Sequence, residues 1–254
     1  MKAIMPKQFN FNYISHRWIG RKRILGGLFV CMLLLSGCHN LQGSKSETKV
    51  VYADNYEIIG TTRDELIGTV HPAIFTTVDR SNKDAKRKYG LVPTKSGVKL
   101  SINTGRYALT GYPSGNIYIY DQDDNLLVQE IVGDKAGVPT LTVDIDSTFS
   151  VHFDGGYNTV EIQPVKTELS TELTAGIWDV GLDIEPGDYT ISIPAGHGFV
   201  QVLEQGKDPR LFELTGGGLT NSKSLVQLKK GQKVRVSKVS AVSFETAGEE
   251  SKND

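Results

Sequence analysis

A pattern that returns after 82 residues constrains this chain more than any other feature. Ile102, Gly105 and Tyr107, within Ile-Asn-Thr-Gly-Arg-Tyr, recur as Ile184, Gly187 and Tyr189, within Ile-Glu-Pro-Gly-Asp-Tyr. Gly115, Ile117 and Ile119 match Gly198, Val200 and Val202 at a shift of 83, and Val143, Phe149 and Val151 match Leu228, Val234 and Val236 at 85. The shift returns to 82 for Val160 and Ile162 against Val242 and Phe244, with Asp154-Gly155-Gly156-Tyr157-Asn158 as a turn insertion in the first copy. Stacked solenoid repeats run to roughly 20 to 50 residues, so this longer period predicts two tandem domains.

Within each copy, apolar residues alternate with polar ones. Leu141, Val143 and Ile145 flank Thr142 and Asp144, and Phe149, Val151 and Phe153 flank Ser150 and His152. Period two puts one set on a core face and the other in water, the pattern of half-buried strands. The 27 Gly, with no Gly-X-Y period, supply turns. Asn103-Thr104-Gly105-Arg106 and Glu185-Pro186-Gly187-Asp188 have the form of type II turns with a positive-φ Gly. The expected fold is mainly β: two small antiparallel β-sandwich or barrel-like domains, at 96–166 and 167–246, the second repeating the first.

The N-terminal region has a different character. Arg21-Lys22-Arg23 precede Ile24 to Leu35, which carries no charge. This is the layout of an export signal, and its 12 residues fall short of the roughly 20 that a membrane-spanning helix needs. The stretch ends at Leu35-Ser36-Gly37-Cys38, which resembles the lipobox of bacterial lipoproteins. The resemblance implies that 1–37 is a signal peptide and that Cys38 carries a diacylglyceryl lipid of the palmitate type. Cys38 would then be the first residue of the mature chain. Two acyl chains anchor stably where one is marginal, so the expected location is the extracytoplasmic face of the cell membrane. The residues before Arg21 outrun most such leaders, so the leader is long or translation begins after Met1. The residue after Cys38 is His39, not the Asp that tends to retain enterobacterial lipoproteins at the inner membrane, and it fits either envelope type; a Gram-positive envelope is the first expectation and a Gram-negative one the second.

Gly176-Ile177-Trp178-Asp179-Val180-Gly181-Leu182-Asp183-Ile184-Glu185-Pro186-Gly187-Asp188-Tyr189 resembles a module recurring in exported proteins of Gram-positive bacteria, and Leu228-Lys229-Lys230-Gly231-Gln232 resembles its late turn. The resemblance covers Gly176 to about Phe244, more weakly Val98 to Ile162, and implies a small β domain without a known reaction.

Residues 38–95 are expected as a lipidated tether with a short helix. Asn40 to Thr48 is polar and aperiodic, and Thr62-Arg63-Asp64-Glu65 has the form of a capping box ahead of Leu66, Ile67 and Val70, closed by Pro72. Lys83, Lys86, Arg87 and Lys88 form a basic run, first a solvated face and second a contact for anionic lipid or wall polymer. Residues 247–254 form a polar tail.

Charge excludes one partner class. Six basic residues and no acid precede Cys38, which leaves 22 basic against 29 acidic residues beyond it. A mildly acidic remainder has no concentrated basic surface for nucleic acid. The only other cysteine, Cys31, lies in the leader, so no disulfide or cysteine-metal site is expected in the exported part.

No nucleophile elbow, zincin, P-loop or dinucleotide motif occurs, and His39, His71, His152 and His197 are isolated along the chain. No catalytic residue, metal or cofactor is therefore assigned. Asp121-Gln122-Asp123-Asp124-Asn125 starts like a calcium loop but has Leu126 and Val132 at its sixth and twelfth positions, so a hairpin turn is expected. The candidate ligand-binding residues are tyrosines. If Ile117 and Ile119 face the core, Tyr118 and Tyr120 face outward, with Tyr107 or Tyr112 nearby, a surface suited to sugar rings or a protein partner. The functional expectation is a lipid-anchored envelope protein presenting non-catalytic β domains to a cell-wall polymer or envelope protein. The alternatives are an envelope hydrolase using His152 or His197 with an acid, and the substrate-binding subunit of a transporter.

Overall fold

The computed structural model describes residues 50–92, 96–218 and 221–247. Cys38, the leader, the 40–48 segment and all of the polar tail after Ala247 lie outside the described residues.

The chain is mainly β, a sandwich-like fold with two sheets and, among the described residues, one α-helix. In the first copy β3 (Lys88–Leu91), β4 (Val98–Ser101), β5 (Gly105–Tyr112), β6 (Ser114–Tyr120), β7 (Leu126–Gly133), β8 (Leu141–Ile145), β9 (Ser150–Asp154) and β10 (Thr159–Pro164) form two layers. One layer is ordered β4-β9-β6-β7, the other β8-β5-β10-β3. The second copy holds β11 (Glu172–Asp179), β12 (Gly187–Ser192), β13 (Gly196–Leu203), β14 (Arg210–Gly216), β15 (Ser224–Leu228) and β16 (Lys233–Thr246).

The pairing scheme of the first copy recurs in the second. β6 lies between β7 and β9, as β13 lies between β14 and the first half of β16. β5 lies between β8 and β10, as β12 lies between β15 and the second half of β16. The long β16 thus does the work of β9 and β10, bending at Lys238, whose φ is 61°. Likewise β11 pairs both halves of β16 across a bulge, replacing the separate β3 and β4. The first copy therefore starts at β3, ahead of residue 96.

Register revises the alignment of the copies. Tyr107 pairs with Val143 and Tyr189 with Val226, so the counterpart of Val143 is Val226, not Leu228. Ile119 pairs with Val151 and Val202 with Val234, which also brings that shift from 85 to 83. Two-residue slips preserve the face of every side chain, so hydrophobic alternation alone does not detect them.

The turn chemistry differs from expectation too. Gly105 and Gly187 open β5 and β12 without positive φ. Their need for glycine is steric: the Tyr107 and Tyr189 rings fold back over them, 3.1 and 3.3 Å from where a Cβ would stand. Each phenol donates to the carbonyl four residues back, Tyr107 to Asn103 at 2.8 Å and Tyr189 to Glu185 at 2.9 Å. Tyr157, from the turn insertion, packs on Gly111 and Gly115 and its hydroxyl lies 2.8 Å from the Val132 carbonyl. Burial pushes the Tyr157 phenol well above its ordinary pKa.

Residues 50–92 are built into the fold instead of forming a free tether. β1 (Val51–Tyr52) and β2 (Glu57–Ile59) extend the large sheet beyond β14, where Glu57 takes both forks of Arg210 at 2.7 and 2.9 Å. The helix α1 spans Gly60–Ile67. Its N-cap is Ile59, without a side-chain bond, and Thr62 lies inside it, buried, so the expected capping box does not form. The β2 ladder holds the chain extended up to Ile59, and the helix begins where the ladder ends. Pro72 starts a 3-10 turn, Pro72–Phe75.

One hydrophobic core fills the first copy around Ile117, Ile119, Val151 and Phe153, and a second fills the other around Val200, Val234, Val236 and Phe244. Each fully buried side chain of this kind stabilises by about 1.5–3 kcal/mol. The copies meet where Gly176 of β11 pairs with Thr142 of β8. A Cβ on Gly176, whose φ is 152°, would stand 2.1 Å from the Thr142 carbonyl oxygen.

Candidate functional site

The outward face of β6 carries the expected aromatic pair. Ile117 and Ile119 are buried while Tyr118 and Tyr120 are half-buried on the other side. Their rings lie 6.2 Å apart, inclined by 22°. His152, opposite Tyr118 on β9, is tilted against it at 5.9 Å. Lys99 lies 5.7 Å from the Tyr120 ring and pairs with Asp124 at 2.7 Å. Burial and the Asp154 carboxylate push the Tyr118 phenol above its ordinary pKa. The result is a flat apolar surface edged by hydroxyls, an imidazole and an ammonium, suited to stacking a sugar ring.

Tyr107 and Tyr112 do not join this surface. Tyr107 is fully buried in the core, held by its bond to Asn103. Tyr112 is exposed but ends β5 in the other sheet, beside Tyr89. The turn at 121–125 is the β6–β7 hairpin: Asp121 accepts from the Asp123 and Asn125 backbone N–H groups, both at 2.9 Å. Burial opposes its charge, but these bonds, that of the Asn125 amide and nearby His71 hold Asp121 below the usual carboxylate pKa. Among the described residues no cluster of three or more metal-ligating side chains occurs.

Two histidines meet acids. His152 Nε2 is 3.6 Å from Asp154. His197 Nε2 lies 2.6 Å from Glu213, whose other oxygen accepts from Tyr52 of β1. That hydrogen bond, burial and the Glu213 charge raise the Tyr52 phenol to about 12. Burial favours neutral Glu213, but the bonds from Tyr52 and His197 outweigh it and hold its pKa low. The opposite contact of the His197 ring is the Phe199 ring, at 5.0 Å.

Sequence reasoning missed the ionic cluster between the copies. Arg106, fully buried, bonds Asp144 at 2.9 Å, and its other terminal nitrogen is 3.1 Å from Asp183 without hydrogen-bond alignment. Arg80 joins Asp144, Asp179 and Asp183, and Lys233 reaches Asp179 at 2.6 Å. Arg106 also lies 4.8 Å from the Trp178 ring. Burial pushes the Asp183 carboxyl up, against the pull of Arg106 and Arg80. Three cations balance three carboxylates, so the cluster is a clamp and leaves no charge to attract a ligand. Alternation had placed Asp144 in water; the second copy covers that face.

No known family model, curated protein or solved structure matches the chain.

Proposed function

We propose that this chain is a lipid-anchored envelope protein, tied to the extracytoplasmic face of the cell membrane through Cys38, whose β-sandwich repeats bind a cell-wall polysaccharide without catalysis. The observation that carries the binding role is the Tyr118–Tyr120 pair, two nearly parallel rings held on a rigid strand with His152 beside them. The lipobox-like Leu35-Ser36-Gly37-Cys38 supports the location. Rings on a strand lose little conformational freedom when a sugar stacks on them, which favours binding.

The test is pull-down of the exported chain with purified wall polysaccharide and, separately, with envelope proteins. Losing both rings should cost about 1–2 kcal/mol, roughly five- to thirtyfold in affinity. Polysaccharide capture by Tyr118→Ala/Tyr120→Ala equal to wild type refutes the site, and capture by protein alone refutes the polymer. Cys38→Ala should leave the membrane fraction; wild-type retention refutes the anchor. The hydrolase alternative rests on the His197–Glu213 pair, and hydrolysis of the polymer abolished by His197→Ala would favour it over this reading.

A further inference from the structure

A groove of about 940 Å³ runs between the two copies, and its β7 wall adjoins the tyrosine surface, where Gln129 pairs with Tyr118. One wall is the outward face of β13 and β16. Val200, Val202, Val234 and Val236 point into the second core, so Gln201 and Arg235, which pair directly across the two strands, point into the groove. Facing residues on neighbouring strands hold their Cβ atoms about 4.5–5.5 Å apart. Phe199 continues this wall, and Gln129, Glu130 and Ile131 of the edge strand β7 form the opposite one.

Both polar groups on the first wall lack adequate partners. Gln201 is 5% exposed, and its Oε1 has no hydrogen-bond partner. Native proteins rarely leave a buried acceptor unsatisfied, because its lost hydration is then uncompensated. Arg235 makes one long bond among the described residues, 3.4 Å to the Gln129 carbonyl, at the limit of hydrogen bonding. Burial pushes the Arg235 guanidinium pKa down, opposed by the charge of Glu130. Glu130 accepts from the Ile131 N–H at 3.1 Å and the Lys238 N–H at 3.0 Å and makes no ion pair with Arg235, so it acts on Arg235 through its charge alone.

We propose that this groove binds the carboxyl terminus of a peptide, Arg235 holding the carboxylate and the Gln201 side chain turning its covered Oε1 outward to accept the neighbouring amide N–H. A carboxylate matches the planar guanidinium fork, and the adjacent amide is the donor that the glutamine oxygen lacks. Phe199 and half-exposed Ile131 offer an apolar wall for the terminal side chain. The volume suits two or three residues, within the usual range of small-ligand sites. The proposal does not rest on the tyrosine surface or on the identity of the wall polymer.

Calorimetric titration of the full chain with N-acetyl-alanyl-leucine, its C-terminal amide and inorganic phosphate tests it. The free acid should bind saturably at concentrations up to about 10 mM, the range a millimolar Kd requires. The amide should bind at least tenfold more weakly. Arg235→Met should abolish binding, and Gln201→Met should weaken it by about five- to twentyfold, the worth of one buried hydrogen bond. Because these side chains serve a ligand, both variants should unfold at or above the wild-type temperature. The proposal is overturned by no saturable binding of the acid, equal binding of the amide, tighter binding of phosphate, or binding unchanged in Arg235→Met. Arg235→Met that loses binding only by losing its fold is separated from the expected case by that melting temperature, and a large fall there also overturns it.

Discussion

Replacing Arg106 by alanine should destabilise this protein by about 3–5 kcal/mol, because it removes one partner from a buried ion cluster and leaves the others uncompensated. Arg106 is 1% exposed, bonds Asp144 at 2.9 Å, stands 3.1 Å from Asp183 and lies over Trp178 at 4.8 Å. Once it is gone, Arg80 and Lys233 must balance three carboxylates, of which Asp183 is wholly buried. Arg80 already contacts all three acids and softens the loss, which sets the figure at the value for breaking a single pair. Domains are stable by only about 5–15 kcal/mol, so this is a large fraction of the total.

Urea unfolding measures it. With a slope of about 2–3 kcal/mol per molar, the midpoint should fall by about 1–2.5 M. Trp178 is the only tryptophan beyond Cys38, so its fluorescence reports on the junction itself. The control is Arg87→Ala, which breaks an exposed pair with Glu161 at 2.6 Å and should cost under about 1 kcal/mol. An Arg106→Ala midpoint within the shift of Arg87→Ala would refute the claim that these charges clamp the two copies.

Two further predictions follow from the same structure. Gly176→Ala should cost more than about 2 kcal/mol in the same melt, since its Cβ would stand 2.1 Å from the Thr142 carbonyl; Gly206→Ala, with φ of 77° and open space around it, should cost about 1 kcal/mol from backbone strain alone. Equal losses would mean that the β8–β11 approach does not demand glycine. Tyr52 should ionise near pH 12, read as the difference in phenolate absorbance between wild type and Tyr52→Phe. Its folded pKa lies above the unfolded value of 10, so its contribution to stability is complete below pH 10 and disappears as the pH climbs through about 12. A difference titration centred at 10 would exclude the Tyr52–Glu213 bond.

The β character was legible because alternation is local. Ile117, Tyr118, Ile119 and Tyr120 take opposite faces through strand geometry alone, whatever lies beyond the strand. The glycine–tyrosine pair at 105/107 and 187/189 was legible for a related reason: the same ring folds over the same glycine to open the same strand. The errors arose where covalent neighbours do not decide. Tyr107 shares the aromatic character of Tyr118, yet its ring closes a corner inside the core. Thr62 has capping chemistry, but the β2–β14 ladder set where the helix begins.

What the amino-acid order determined by itself was strand character and the face each side chain takes, together with the outward aromatic pair on β6, because these follow from spacings of a few residues. Only the tertiary structure decided which polar faces stay in water. Arg80 meets Asp183 across 103 positions, and Gln201 lies with Arg235 in a groove only because β7 of the first copy stands opposite β13 and β16. A charge on the outer face of a strand is solvated or buried according to what packs over it, and no local pattern encodes that choice.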